Sequence, residues 1–241
     1  MNEPTAKEFI SQLSLLKSAA ELKNVERFFR DKKPDSKFLG IRMSAIFDLA
    51  KAFMEMSLAE IEVLLQSEYY EVRMGAVSIM DFQARDKKTT ATRKKELFDL
   101  YIRRHDRIDN WDLVDRSAPY VVGGYLFDKP REILYRLAKS GNVWERRTAI
   151  VSTYFFIRQN DLSDTFKIAE LLVHDPHDLI QKAVGSWIRE AGKKDKLVLI
   201  EFLDTYAGSM PREMLRYAVE KLDEKGKQYY LGINGRNKES R

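Results

Sequence analysis

Trp111 and Asp115 are the residues of this sequence whose types and spacing are best suited to chemistry. They stand four positions apart in the segment DNWDLVD, and residues four apart share one face of a helix. An indole face attracts positive charge, and a fixed carboxylate can stabilise an oxocarbenium-like transition state such as that of glycoside cleavage. The same spacing also suits a core tryptophan and a carboxylate that pairs with an arginine, so the pair alone leaves both interpretations open.

Two further tryptophans extend this pattern. Trp144 lies in NVWERRTAI together with Arg147, and Trp187 lies in QKAVGSWIRE. An arginine can hold a phosphate group through two parallel hydrogen bonds. Tryptophans, a carboxylate and an arginine on one groove would therefore suit a cationic ligand that lies along a phosphate backbone.

A repeated helical pattern provides the elements that must position these residues. Apolar residues recur three and four apart through most of the chain, which is typical of helices. Similar segments are centred on Ala45, Ala76, Ala149, Ala183 and Ala218, at intervals of 31, 73, 34 and 35 residues. The interval of 73 fits two units, and a period in this range with two helices per unit indicates an α-solenoid. We therefore predict an all-α solenoid of HEAT-like repeats, about six helix pairs, with a concave basic groove.

Basic residues recur near the repeated alanines, and they are the candidates for DNA contacts. Lys182 and Arg216 precede two of these alanines, and Arg73 and Arg42 occupy the corresponding segments of the first two repeats. If the repeats stack in register, these side chains line one surface that can follow a duplex through phosphate contacts. The alternative is that they lie on ordinary solvated helix faces, as in solenoids that bind proteins.

Composition excludes several classes of protein. The absence of cysteine excludes disulfides, zinc fingers and cysteine nucleophiles. No apolar stretch approaches 18 residues, so we expect no membrane span. The segment MNEPTAKEF does not resemble a signal peptide, and we expect a cytoplasmic protein. The net charge of +5 matters only if the basic residues gather on one surface.

A metal site is conceivable at one place, the segment HDPHD. His174 and His177 lie three apart there, beside Asp175 and Asp178. A proline at the centre of such a segment favours a polar turn between helices. We therefore expect no metal and no cofactor.

The predicted organisation of the chain is a single repeat domain over 1–231, followed by a disordered tail over 232–241.

Several motifs resemble those of a known family. WDLVD is similar to the WDxVD motif of the HEAT-like DNA alkylation repair family, the AlkD-type alkylpurine DNA glycosylases. NVWERRTAI resembles its N-x-W-x-x-R-x-A-I segment, and LIQKAVGSWIRE resembles its I-Q-K-A-x-G-W-x-x-R-E segment. KFLGIR, with Gly40 and Ile41, resembles an early F-L-G-I element. The similarity extends over nearly the whole chain.

The resemblance implies a role for each matching residue. Asp115 matches the catalytic carboxylate, Trp111 the first groove tryptophan, and Arg147 the arginine that contacts the DNA backbone. The resemblance also implies that the alkylated base stays in the duplex and that tryptophans enclose the deoxyribose. One departure concerns the third motif, where Ser186 follows Gly185 and Trp187 comes one position later. A shift of one position turns a helical side chain by about 100°, which can direct Trp187 into the core.

Two functions therefore remain open. The first is a monomeric bacterial glycosylase, acting in the cytoplasm at the nucleoid, that removes N3- or N7-alkylated purines from duplex DNA without flipping the base. The second is a DNA-binding protein for damaged, distorted or branched DNA with little or no catalysis. Retention of Trp111, Asp115 and Arg147 favours the enzyme, and the displaced Trp187 favours the binding protein.

The predicted groove has a measurable consequence for DNA binding. Duplex affinity should fall steeply with salt, because each phosphate contact releases counterions. Arg147→Ala, Lys182→Ala and Arg216→Ala should each lower the slope of log affinity against log salt by at most about one unit. Equilibrium binding measured across a salt series tests this, and an affinity that does not respond to salt would exclude the groove.

Overall fold

The computed structural model describes residues 3–28 and 37–239. The chain divides into two compact units, Met1–Tyr125 and Leu126–Arg241. Within the described residues both units are built from helices and contain no β-strand, although a single bridge joins Lys37 and Tyr69. The predicted all-α fold is confirmed.

The helices of the first unit lie in two rows. Helices α3, α5 and α7 pack in sequence along one row, and α4 packs against α5 and α6 in the other. Leu64, Met74 and Leu113 are almost completely buried in this unit. The helices are α1 (Ala6–Ser14), α2 (Ala19–Phe28), α3 (Met43–Ala52), α4 (Leu58–Leu65), α5 (Tyr70–Arg85), α6 (Ala91–Arg103), α7 (Trp111–Ser117) and, at the boundary of the two units, the short α8 (Gly124–Leu126).

The second unit repeats this arrangement. Helices α10, α12 and α14 form one row, while α9 and α11 pack beside each other in the second row. Ile150, Val184 and Leu215 are fully buried in its core. The helices are α9 (Glu132–Ala138), α10 (Val143–Arg158), α11 (Ser163–Leu172), α12 (Asp178–Gly192), α13 (Lys196–Tyr206), α14 (Arg212–Ala218) and α15 (Glu224–Glu239).

Polar residues at the N-termini fix where many of these helices begin. The side chains of Thr5, Ser57 and Thr90 accept hydrogen bonds from the first turns of α1, α4 and α6. Asn142 and Asp195 do the same for α10 and α13. Such caps satisfy backbone N–H groups that a helix leaves without an internal partner. The boundaries of the helices therefore follow from local sequence.

The repeated alanines mark one row of helices in each unit. Ala76, Ala149, Ala183 and Ala218 are buried, with at most 2% exposed surface, on α5, α10, α12 and α14. Ala45 on α3 is half-buried. The interval of 73 residues between the second and third of the five alanines contains α7, which packs beside α5. The period of the repeated alanines thus marks the positions at which neighbouring helices of a row approach closely, because the small alanine side chain permits a close approach.

Two predictions, the tail at the end of the chain and the turn at Pro34-Asp35, fall partly or wholly on residues that the structure does not describe. Helix α15 continues to Glu239, so the expected disordered tail overlaps a helix, and residues 240–241 lie outside the described residues. A polar composition is compatible with an exposed helix as well as with disorder. The turn expected at Pro34-Asp35 also lies outside the described residues. The organisation into a single domain stays a prediction.

Gly185 provides a test of the packing within the second unit. A Cβ atom built at this position would lie 2.4 Å from the backbone oxygen of Met214 and 2.7 Å from Cβ of Tyr217. Gly185→Ala should therefore force α12 away from α14 and destabilise the protein by about 1–3 kcal/mol. Thermal unfolding measures the effect.

Gly141→Ala is the matched control, since nothing lies within 4 Å of a Cβ atom at that position. It should leave the melting temperature nearly unchanged. Equal melting temperatures for the two variants would contradict the described contact between α12 and α14.

Candidate active site

Helix α7 carries the two residues that were singled out first. Asn110 caps the helix by accepting a hydrogen bond from the backbone N–H of Trp111, at 2.8 Å. Leu113 and Val114 are fully buried, whereas Trp111 and Asp115 are half-buried. The helix predicted over this segment is confirmed, and the indole and the carboxylate share one side of it.

Trp111 and Asp115 line a cavity of about 610 Å³ within the first unit. Its apolar wall comes from α2, α3, α5 and the segment that precedes α3, with Val25, Ile41, Met43, Phe47 and Met74. Its polar groups include a second carboxylate of α7, that of Asp112. An apolar concavity with a few converging charged groups is the usual form of a ligand site.

The segment before α3 is held in place by a buried glutamate. Glu71 on α5 accepts hydrogen bonds from the backbone N–H groups of Leu39 and Gly40, at 2.9 and 2.8 Å. Gly40 has a φ of +74° and approaches the backbone of α2 closely, since a Cβ atom at this position would lie 2.6 Å from the backbone nitrogen of Leu22. Only glycine fits such a position. The F-L-G-I element therefore holds its last residue, Ile41, in the wall of the cavity.

Asp112 is the functional candidate that sequence reasoning missed. One carboxylate oxygen accepts a hydrogen bond from the Tyr70 hydroxyl, and the other accepts the backbone N–H of Leu113 at 2.9 Å. Burial raises the pKa of Asp112 to about 6, although the Tyr70 hydrogen bond opposes the shift, and the negative charge of Asp115 adds to it. Burial and the charge of Asp112 also raise the pKa of Tyr70. The only signal in the sequence was its spacing of three from Asp115.

A second contact joins α5 to the segment that starts α7. The Arg73 guanidinium, 2% exposed, lies 3.1 Å from the Asp109 carboxylate and donates to the carbonyls of Ser67 and Glu68. Burial lowers the pKa of Arg73, and Asp109 opposes this shift. The expectation that Arg73 contacts DNA is not supported by this position, because its guanidinium is engaged inside the protein.

Two other arginines lie at the cavity. Arg42, a predicted DNA contact, has 75% of its side chain exposed and lies 2.8 Å from Glu21. Arg116 forms an ion pair with Asp81 at 3.0 Å and its guanidinium lies over the ring of Phe47, 4.5 Å from the centroid. Arg42 thus stands exposed at the rim, and its DNA contact stays a prediction, while Arg116 supports the cavity wall.

A π-helical turn, Ala118–Gly123, follows α7 directly. Pro119, in its first turn, lacks the backbone N–H that would continue an α-helical pattern. Turns of this kind are rare and occur frequently at functional sites. Here the turn ends α7 two residues after Asp115, so the carboxylate lies in the last full turn of a short helix.

In the second unit, Arg147 lies in the core. It is 6% exposed, and its guanidinium donates to the Leu179 carbonyl at 2.6 Å, between α10 and α12. The predicted phosphate contact by this residue is not supported by that position. Arg147→Ala would remove a packing contact, so the salt test rests on Lys182 and Arg216.

Trp187 packs against α10. Its indole N–H donates to the Val151 carbonyl at 3.1 Å, and its ring lies 5.8 Å from that of Tyr154. The side chain is half-buried, as is that of Ser186. The displacement by one position thus places the Trp187 indole edge inside the helix packing. Trp144, at the start of α10, is also half-buried.

Lys182 and Arg216 lie on the surface of the second unit. Lys182 forms an ion pair with Asp178 at 3.1 Å, and Arg216 lies 3.6 Å from Glu213. Ion pairs between exposed groups are weak, so both cations can exchange their partners for phosphate. Their predicted DNA contacts stay predictions.

The segment HDPHD forms a turn between α11 and α12. The Asp175 carboxylate lies 2.6 Å from Arg146, and His177 caps α12 by accepting the N–H of Leu179 at 3.2 Å. These groups have structural roles. Across residues 3–28 and 37–239, no three histidines, aspartates or glutamates are grouped so that they could hold a metal ion.

The fold and the cavity define the class of protein: a helical-repeat protein with an acidic and aromatic site. The model of a family described as DNA alkylation repair enzymes matches residues 9–222. This chain therefore belongs to that family.

Two solved structures share the fold. A predicted DNA alkylation repair enzyme from Enterococcus faecalis has a TM-score of 0.70 at 16% identity, over 86% of this chain and 97% of its own. AlkD2 from Streptococcus mutans has a TM-score of 0.53 at 18% identity, over 91% of this chain and 100% of its own. None of the curated proteins matches the sequence. Identities this low establish the fold alone.

No helix among the described residues is both long enough and apolar enough to cross a bilayer.

The raised pKa of Asp112 has a consequence for stability. Its carboxyl titrates near 6 in the folded protein and at 3.8 in its ordinary state. A raised pKa contributes stability at acid pH that is lost as the pH rises through about 6. Asp112→Asn should therefore stabilise the protein by about 1–3 kcal/mol at pH 7.5, and the difference should nearly vanish at pH 4. Thermal unfolding at the two pH values measures it.

Asp48→Asn, which changes an exposed carboxylate on α3, is the control and should have little effect at either pH. A lower melting temperature for Asp112→Asn at pH 7.5 would show that the ionised carboxylate stabilises the fold.

Proposed function

We propose that this protein is a DNA glycosylase that hydrolyses the N-glycosidic bond of cationic N3- or N7-alkylated purines in duplex DNA. The observation that carries the proposal is the shared cavity of Trp111 and Asp115, within a chain of the DNA alkylation repair family. We further propose that it acts as a monomer in the bacterial cytoplasm, at the nucleoid.

The chemistry needs little besides electrostatics. An alkylated purine carries a positive charge, so it leaves without a general acid. As the C1′–N bond breaks, its electron pair neutralises the purine, and positive charge develops on the sugar. The Asp115 carboxylate opposes that charge and orients a water molecule. The water oxygen bonds to C1′, and its proton passes to Asp115 and then to solvent.

Trp111 contributes a surface for the cationic sugar. Its indole belongs to the same cavity as Asp115, and an aromatic face stabilises a nearby positive charge by up to about 2 kcal/mol when water is excluded. In this proposal the base stays in the duplex, and the sugar approaches Asp115 and Trp111. Arg42, exposed at the rim, contacts a phosphate of the same strand.

A binding protein without catalysis is the second candidate, and one observation favours it. The Trp187 indole edge is engaged by the Val151 carbonyl and its ring neighbours Tyr154. An enclosure of the deoxyribose between two tryptophans would require the second one to present its face to DNA. A protein that lacks this enclosure can still bind damaged or distorted duplexes through its basic residues.

Asp115→Asn is the decisive substitution for the enzyme. It keeps the shape of the side chain and removes its charge. DNA binding should be nearly unchanged, whereas base release should fall by about 10²-fold or more, the usual effect of removing one electrostatic stabiliser from an active site. Release from methylated duplex DNA under single-turnover conditions, with spontaneous depurination subtracted, measures it.

Trp187→Ala should be measured in parallel, because a side chain that only packs against α10 should leave release unchanged in the folded fraction. Wild-type protein that binds duplex DNA but releases no base above background would exclude the glycosylase and establish the binding protein.

A further inference from the structure

Asp112 is a carboxylate of the cavity that the proposed chemistry does not use. It stands three positions before Asp115 and lines the same cavity. Its charge is held in a partly buried site, where an ionised group costs free energy unless hydrogen bonds satisfy it. Two donors are supplied, the Tyr70 hydroxyl and the backbone N–H of Leu113.

The Tyr70 contact is one of two cross-helix links that flank Trp111. Tyr70 and Arg73 lie three apart on α5 and bind the carboxylates of Asp112 and Asp109 respectively. These aspartates lie one position after and two positions before Trp111. The two links therefore fix the first turn of α7, on which the orientation of the indole and of the Asp115 carboxylate depends.

We propose that Tyr70 and Asp112 form a positioning pair for the reaction, in which the ionised Asp112 carboxylate holds the first turn of α7 through the Tyr70 hydroxyl and keeps Trp111 and Asp115 in place. Its effect on catalysis rests on the proposed function. A hydrogen bond to an ionised acceptor is about twice as strong as a neutral one. Protonation of Asp112 weakens the link to α5 and removes a negative charge that lies beside Asp115.

Other charged and titratable groups surround the pair. Asp115 raises the pKa of Asp112, and Glu71 and Arg73 act on Tyr70 in opposite directions. The Glu71 carboxylate is itself occupied by the N–H groups of Leu39 and Gly40. The remaining charged groups that line the cavity are Glu21, Arg42 and Arg116, of which Arg42 is paired with Glu21 and Arg116 with Asp81.

The pH profile of base release separates a positioning role from simple packing. For the wild type, the release rate should be level above about pH 7 and should fall by about tenfold in total as Asp112 protonates around pH 6. Asp112→Asn should lower the rate at pH 7.5 by about tenfold and should lack the fall near pH 6. Spontaneous depurination must be subtracted at each pH.

Tyr70→Phe tests the proposal through the direction in which the pH profile of base release changes. Loss of the Tyr70 hydroxyl breaks the link to α5, so the release rate at pH 7.5 should be lower than in the wild type. Because the Tyr70 hydrogen bond lowers the pKa of Asp112, the fall in rate that remains, through the charge beside Asp115, should move to higher pH. Tyr69→Phe, at the neighbouring half-buried tyrosine, should keep the wild-type profile. A fall near pH 6 that persists in Asp112→Asn, or that does not move in Tyr70→Phe, overturns the proposal.

A spectroscopic measurement tests the Tyr70–Asp112 pair without relying on base release. In protein labelled with 5-fluorotryptophan, the ¹⁹F resonance of Trp111, assigned through Trp111→Phe, should titrate with a midpoint near 6 in the wild type and not in Asp112→Asn. Absence of base release at every pH excludes the proposed function. A Trp111 resonance that does not titrate near pH 6 in the wild type overturns the positioning pair itself.

Discussion

The link between α5 and α7 is the interaction on which the rest of the site depends. Helix α7 has seven residues, which is too short to be stable alone in water. Its buried side chains Leu113 and Val114 pack into the core. At its start, Tyr70 and Arg73 of α5 donate hydrogen bonds to the carboxylates of Asp112 and Asp109. The longer α5 is buried along nearly its whole length. The position of the catalytic candidates is thus set by a helix that carries none of them.

The polar contacts of Asp112 and Arg73 between α5 and α7 lower the stability of the folded protein. Ionised Asp112 and the buried Arg73 are both unfavourably desolvated. An apolar contact between α5 and α7 would stabilise the fold better, but it would not specify the orientation of the first turn through directional hydrogen bonds. Sites that bind or transform ligands often retain groups that reduce stability. The cavity of the first unit has this character, with charges held on an otherwise apolar wall.

Much of the fold could be predicted because it depends on patterns between residues that are close in the sequence. The alanine period located one row of helices, and Asn110, Asn142 and Asp195 mark helix starts by residue type. The side of α7 that carries Trp111 and Asp115 followed from helical spacing. The family's motifs added the expectation of function, and the family itself is established.

The rest depended on contacts between distant residues, which spacing does not encode. Arg73 was predicted to contact DNA because it is basic and near a repeated alanine, and Arg147 because its segment resembles a family motif. Acceptors 36 and 32 positions further along the chain nevertheless engage these two arginines inside the protein. Asp112 was overlooked for the same reason, since its hydroxyl donor is 42 positions away. A charge in a helical pattern has no fixed direction until the neighbouring helices are known.

The close approach at Gly185 determines how freely α12 can turn about its own axis. With the backbone oxygen of Met214 already at contact distance from that position, the helix has no room to rotate its larger side chains past α14. The indole of Trp187, two residues on, is held in its own direction as well, by the Val151 carbonyl and the ring of Tyr154. The position that follows Gly185 thus keeps the small Ser186 side chain, and the aromatic ring of the segment stays on the side of α12 that faces α10.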